Sequence, residues 1–328
     1  MERLWPAERF PLSISEPSAR FGAYAVIAVV GAVLYWLSKD HPSLLPAWAP
    51  WDFSAPEYLA TTLCLLWFFR GLRLSEQSAK PRRWRRAAFL LGVGAIYVVL
   101  QTHFEYWAQH MFFLNRIQHV VMHHFGPFLI ALGGVGTTIV RGMPKWLHRM
   151  ITKAPVVAVV RVLQQPFLAA VLFSGSFALW LIPAIHFRAM LDAQLYAVMN
   201  WTMVLDGILF WTLVLDPRPK PPARTGYGVR VALSLGVMFP QIIMGALIGL
   251  SGHDLYPYYT VCGRIFPSIS ALSDQHIGGI ILWIPPAMMS VIGVLVVLNA
   301  LRLHEESDNE ANKNGSSLAT LSSSWTGR

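Results

Sequence analysis

The sequence predicts an all-α fold: a polytopic integral membrane helix bundle of about eight transmembrane helices, or seven without the weakest candidate. Three observations carry this. First, 55% of the 328 residues are apolar and only 13% are charged, whereas soluble chains carry roughly 25% charged residues. A charge at the bilayer centre costs about 2.5–3.5 kcal/mol even on the lenient insertion scale, so hydrocarbon selects against it. Second, the apolar residues gather into runs of spanning length, and only helices or closed barrels satisfy backbone groups in lipid. Third, the 13 Trp suit membrane interfaces, where indole rings are favoured.

The expected spans are 21–38, 55–72, 87–107, 117–140, 160–183, 192–215, 229–251 and 276–301. The second is the weakest, because Arg70 and Arg73 crowd its end. The start of the fifth stays open, since Lys145 to Arg161 also reads as an interfacial amphipathic helix. Basic residues then set the orientation. Arg70, Arg73, Lys80, Arg82, Arg83, Arg85 and Arg86 lie between spans two and three. Arg141, Lys145, Arg149, Lys153 and Arg161 follow span four, and Arg218, Lys220, Arg224 and Arg230 follow span six. The alternate connections hold only Lys39, Arg116, Arg188 and Arg264. The positive-inside rule places the three rich connections and both termini in the cytoplasm.

Domain organisation follows: a cytoplasmic segment at 1–20, a helix bundle at 21–301 and a disordered cytoplasmic tail at 302–328, rich in Ser, Asn and Glu. Pro6, Pro11 and Pro17 with Glu2, Glu8 and Glu16 interrupt any signal-peptide core, so the first span is expected to stay as an uncleaved anchor. Asp216–Pro222 reads as a stiff cytoplasmic loop. No internal repeat is evident.

Function classes narrow in the same way. The net charge of +9 sits in short blocks between apolar runs rather than in a basic stripe, so no nucleic-acid partner is expected. GxSxG, HExxH, Walker and Rossmann patterns are missing from suitable contexts, and no connection is long enough to fold as a domain. An enzyme is therefore not expected. Cys64 and Cys262 have no CxxC spacing and form no disulfide framework.

The histidines carry the remaining signal. With that orientation, His41, His103, His110, His119, His123, His124, His186, His253 and His276 fall in outer loops or outer helix halves, leaving His148 and His304 inside. Imidazole is the commonest metal ligand and a proton carrier, so a metal site near the outer face is expected. His119 and His123, four apart, share one helical face with Met122 nearby. His103 and His110 lie two turns apart beside Met111. Imidazole and thioether groups suit copper better than zinc, because no thiolate or carboxylate set accompanies them. The candidate copper ligands are thus His119, His123, His103, His110, His124, Met122 and His276. A bland reading stands beside this one: an interfacial imidazole usually bonds backbone or water and does nothing else.

Four further residues are candidates for orienting or structural roles. Glu105 either orients an imidazole or caps the interface. Asp206, inside span six, is a proton- or ligand-orienting group or a bond to a neighbouring helix. Asp274 and Gln275 open the last span, where Asp274 is expected to cap its own helix. Gly278 and Gly279 permit close helix approach.

These residues carry a family resemblance. The run Gln118-His119 through Gly126-Pro127 to Leu132-Gly133 resembles a helix signature of the CtaG-type (caa3) cytochrome c oxidase assembly factors. Trp180-Leu181-Ile182-Pro183, Gly207 through Phe210-Trp211, Tyr256-Pro257-Tyr258-Tyr259, and Asp274 through Gly279 with Trp283 are similar to its later elements, in consistent order over roughly 85–300. The resemblance implies a multi-pass protein of the bacterial cytoplasmic (inner) membrane that helps build haem–copper oxidase. Copper is its implied ligand, and an oxidase subunit or another copper chaperone its implied partner. His119, Asp274 and Gln275 match family positions. Asn115, Leu181, Tyr196 and Asn200 stand where the family often has His.

Two other readings stay beside it. One is a redox protein holding haem b between His103 or His110 and His119 or His123. The other is a transporter for copper or a small solute, with Asp206, Gly245 and Gly249 lining a path.

Overall fold

The computed structural model describes residues 17–325, with side chains over most of 22–310. Residues 1–16 of the expected cytoplasmic segment lie outside the described residues. Among the described residues there is helix and no strand.

Helices α1 (Pro17–Asp40) and α2 (Ala55–Leu74) occupy the first two expected spans. The third is broken into α3 (Arg83–Gln101) and α4 (His103–His110), bent by 59°. Thr102 makes the corner, its hydroxyl accepting from the Phe104 amide. The fourth starts as α5 (Phe112–Val120), passes through a π-helical turn at Val121–Phe125, and continues as α6 (Gly126–Gly133). Gly134 ends α6 at φ 58°, a left-handed conformation that glycine adopts without a side-chain clash. After this corner α7 (Gly136–Gly142) departs at 77°.

The open start of the fifth span now has an outcome. Helices α8 (Lys145–Ile151) and α9 (Ala154–Leu163) contain no buried residue, and α9 meets α10 (Pro166–Leu181) at 71°. The segment before Pro166 leaves the axis of α10, so the straight run begins at 166 rather than 160. Helix α11 (Pro183–Leu191) is a short piece, followed by the unbroken α12 (Ala193–Val214). Next come α13 (Tyr227–Gly236) and α14 (Met238–Gly249), which together make one span, then a short α15 (Tyr258–Val261). The last helix, α16, runs from Ala271 to Trp325.

Among the described residues, four spans are long and apolar enough to cross a membrane unaided, and seven result when each bent pair counts as one crossing. Helix α2, the second and weakest expected run, is the one left out of that count. It is helical but carries Glu57, Arg70 and Arg73, which keep it below that threshold. The backbone of α16 continues past 302, where composition pointed to an unstructured tail. Pairs one turn apart, Arg302–Glu306 and His304–Asp308, lie along that continuation.

One end of the bundle gathers Lys80, Arg82 and Arg85, the α6–α7 corner and Leu303 around a common cleft. Nearby, buried Arg230 donates to the backbone carbonyls of Asp216, Arg218 and Thr225, pinning the proline-rich loop onto α13. The other end joins the start of α16 to the start of α5 through Asp274.

Glycine sets the closest helix contact. A Cβ on Gly142 would fall inside van der Waals distance of the Trp67 carbonyl, so α7 can lie on α2 only with glycine there. Gly136, on the same helix, faces open space. Replacing Gly142 by Ala should cost about 1–3 kcal/mol through overpacking and lower the unfolding temperature in detergent. Gly136→Ala should not lower it, and equal losses in both would remove the packing explanation.

Candidate functional site

A buried polar chain crosses the middle of the bundle. The π-turn after α5 brings the consecutive His123 and His124 to its centre, both fully buried. Their Nδ1 atoms are 3.1 Å apart. On one side, His123 Nε2 lies 3.1 Å from Asp206 Oδ1 on α12, and the Ser176 hydroxyl of α10 donates to the other oxygen of Asp206. On the other side, His124 Nε2 lies 2.9 Å from the amide nitrogen of Gln241 on α14. Phe173 stacks on the His123 ring at 4.0 Å and closes the chain against apolar surroundings. Asp206 thus bonds α10 through Ser176 and lies beside the His123 ring.

This array depends on the π-turn. A π-turn adds one residue to a helical turn and is frequent at functional sites. It shifts the register after Val121, so the expected α-helical pairing of His119 with His123 gives way to His123 with His124. Two members of the chain, Ser176 and Gln241, were missed. The available signal was a polar side chain within an apolar run, which must find a partner inside the bundle.

His119 is buried, and its Nε2 has no hydrogen-bond partner. It keeps a free nitrogen, but one turn away sits Arg116, a fully buried guanidinium. Arg116 donates to Asn115 and lies 4.8 Å from the Phe112 ring, and it has no carboxylate partner among the described residues. A second cation beside it would be repelled at low dielectric. His119 is poorly placed to hold a metal ion.

The other candidates are engaged elsewhere. His103 packs on Trp51 at 3.9 Å, and His110 donates from Nδ1 to the Tyr106 carbonyl at 2.7 Å. Among the described residues, neither makes a ring contact or hydrogen bond with His119 or His123. The His276 ring nitrogen reaches the Ser251 carbonyl at 3.1 Å. Met122 is fully buried within the apolar core that includes Met199 and Met203. Glu105 lies near Glu57 and Asp52, on the side of α2. Among the described residues no group of three His, Cys, Asp or Glu side chains could hold a metal ion. The seven candidate ligands do not meet at one point. Among the described residues, the one imidazole pair with hydrogen-bonded ring nitrogens is His123 with His124.

Asp274 caps a different helix from the one expected. Its carboxylate accepts from the amides of Phe112 (2.9 Å) and Phe113 (2.7 Å) at the start of α5, and pairs with Arg264. Gln275 accepts from the Leu255 amide and donates to the carbonyls of Ile248 and His253, fastening the loop after α14. Gly278 and Gly279 do permit close approach, against Phe112 and Gly249 respectively. The face of Gly245 is filled by Trp283 and Gly279, so the glycines of α14 line a helix contact rather than a path.

The model of the cytochrome c oxidase caa3 assembly factor (Caa3_CtaG) family matches residues 66–302, well over half of the chain. The chain belongs to this family. The CtaG match encloses the whole polar chain from His123 to Gln241, and leaves α1 and most of α2 outside it. Uncharacterized proteins of Mycobacterium bovis and Mycobacterium tuberculosis are each 25% identical over 238 residues. One of Mycobacterium leprae is 26% identical over 236 residues. Each alignment covers 66% of this chain but only 33–34% of the relative, so the chain spans about a third of those proteins' length. No solved structure matches.

CtaG membership sharpens the reading of the four departures. Asn115 and the Tyr196 hydroxyl both donate to the Gln118 side-chain oxygen, at 3.5 and 3.1 Å, and Gln118 donates to the Val99 carbonyl. The Leu181 carbonyl accepts from the Tyr256 hydroxyl at 2.7 Å. Asn115 also lies 3.9 Å from the Met190 sulfur on α11, so three of these positions take part in contacts that tie helices together. Asn200, one turn beyond Tyr196, is buried with its carbonyl oxygen unpartnered.

Proposed function

We propose that this protein acts within the bacterial cytoplasmic membrane as an assembly factor for a haem–copper cytochrome c oxidase, working with an oxidase subunit on copper insertion. The family match over 66–302 carries this reading. Support also comes from the buried array of His123 and His124 with Asp206 and Gln241, which lies inside the matched region. The asymmetry of Lys and Arg supports cytoplasmic termini, which puts the Asp274 end on the outer side.

Deletion of the gene tests it. Oxidase activity and the reduced-minus-oxidised haem spectrum of membranes would be measured with and without added copper. We expect most of the activity to be lost in copper-poor medium and partly regained when copper is supplied. Oxidase of normal amount and activity in both media would end the assembly reading.

A further inference from the structure

We propose that the facing Nδ1 atoms of His123 and His124 form a two-nitrogen site for a soft monovalent metal ion, Cu(I). The proposal deepens the copper reading above and rests on it. Two ring nitrogens 3.1 Å apart in a fully buried setting need something positive between their lone pairs. In the present geometry a proton on one of them serves. Of the distal nitrogens, His124 Nε2 is bonded to Gln241, and His123 Nε2 lies 3.1 Å from the Asp206 carboxylate. A metal-bound imidazole typically donates its other N–H to a carboxylate or carbonyl in this way.

Gln241 supplies the switch between the two occupants. Its carbonyl oxygen is buried without a partner, while its amide nitrogen faces His124 Nε2. The two ends of an amide are interchangeable by rotation. Turning it over satisfies that oxygen with a proton on His124 Nε2 and frees His124 Nδ1. The proton moves between the two nitrogens of one ring, so the pair gains and loses none. Both Nδ1 lone pairs then face each other. An ion held between them would need the two Nδ1 atoms, now 3.1 Å apart, to move further from each other.

Charge and donor number select the ion. Asp206 is the carboxylate beside the pair and has no Lys or Arg partner among the described residues. A single carboxylate offsets at most one positive charge, so a divalent ion there would leave an uncompensated buried charge. Zinc prefers four ligands, and no three-donor group exists among the described residues. Imidazole near thioether-rich packing, with Met122, Met199 and Met203 in the adjoining core, fits copper in its soft state.

The test is anaerobic titration of the full detergent-purified chain with Cu(I) against a chromophoric Cu(I) chelator. X-ray absorption would report the ligands, and thermal unfolding would be followed with and without Cu(I). We expect one equivalent bound through two nitrogens and a Cu(I)-dependent rise in unfolding temperature. His119→Ala should keep it. His124→Ala should lose it, and Gln241→Leu should weaken binding roughly 10–100-fold, the usual cost of removing an orienting partner. Wild-type protein that binds no stoichiometric Cu(I) and gains no thermal protection overturns the site, and so does unaltered affinity in folded His124→Ala. The wild-type shift reads binding even where a variant fails to fold. One equivalent bound by a protein whose deletion leaves oxidase intact would remove the assembly role alone. An oxidase defect without Cu(I) binding would remove the site alone.

Discussion

Asp274→Ala should lower the unfolding temperature in detergent by about 10 °C, given roughly 2–4 °C per kcal/mol for a chain approaching this size. The carboxylate is fully buried and does three things at once. It accepts from the first two amides of α5, where the helix dipole favours a negative charge. It also holds Arg264, whose side chain is only 13% exposed. Removing an N-cap costs about 0.5–2 kcal/mol. Stranding the partner of a buried ion pair costs about 3–5 kcal/mol, and the residual exposure of Arg264 brings this term to the lower end. Asp274→Asn keeps one acceptor but not the charge, so it should fall between wild type and Ala. A melting curve for Asp274→Ala that overlays the wild type would show that α16 does not hold α5 in this way.

Gly207→Val should have the second large effect, this time at the centre of the bundle. A Cβ at 207 would lie 2.9 Å from Pro127 Cγ and closer still to the His123 carbonyl. Both are backbone or ring atoms of the π-turn region and cannot swing aside as a flexible side chain would. Helix α12 must move away, and Asp206, the preceding residue, moves with it. Overpacking of this kind costs roughly 3 kcal/mol at the upper end of the usual range. The variant should lose both thermal stability and the ability to restore oxidase to a deletion strain. Gly175→Ala, on α10 and facing open space, is the matched control and should complement fully. Full complementation by Gly207→Val would show that the contact between α12 and the π-turn is dispensable.

Much of the architecture was legible because lipid imposes a strong rule on composition. A span needs about 20 residues with few charges, and the eight expected runs coincide with helices. The doubtful cases were also visible in advance: Arg70 and Arg73 on α2, and the amphipathic stretch ahead of Pro166. The bends were not. Corners at Thr102, Gly134 and Gln164–Gln165 depend on local capping and on what each half packs against, and hydropathy averages over them.

The candidate site was legible only as a set of residues. Hydrophobicity and charge order determined that imidazoles and one carboxylate would be confined within a membrane bundle, because these depend on residue type alone. Which of them meet was decided by tertiary structure. One extra residue in the turn at Val121–Phe125 exchanged the His119 and His123 pairing for His123 with His124. Asp274 found its amides 162 residues away in sequence, and Gln241 reached His124 from 117 residues away. A buried polar group must be satisfied by whatever packing brings near it. Local sequence says that the need exists, and only the folded bundle says what meets it.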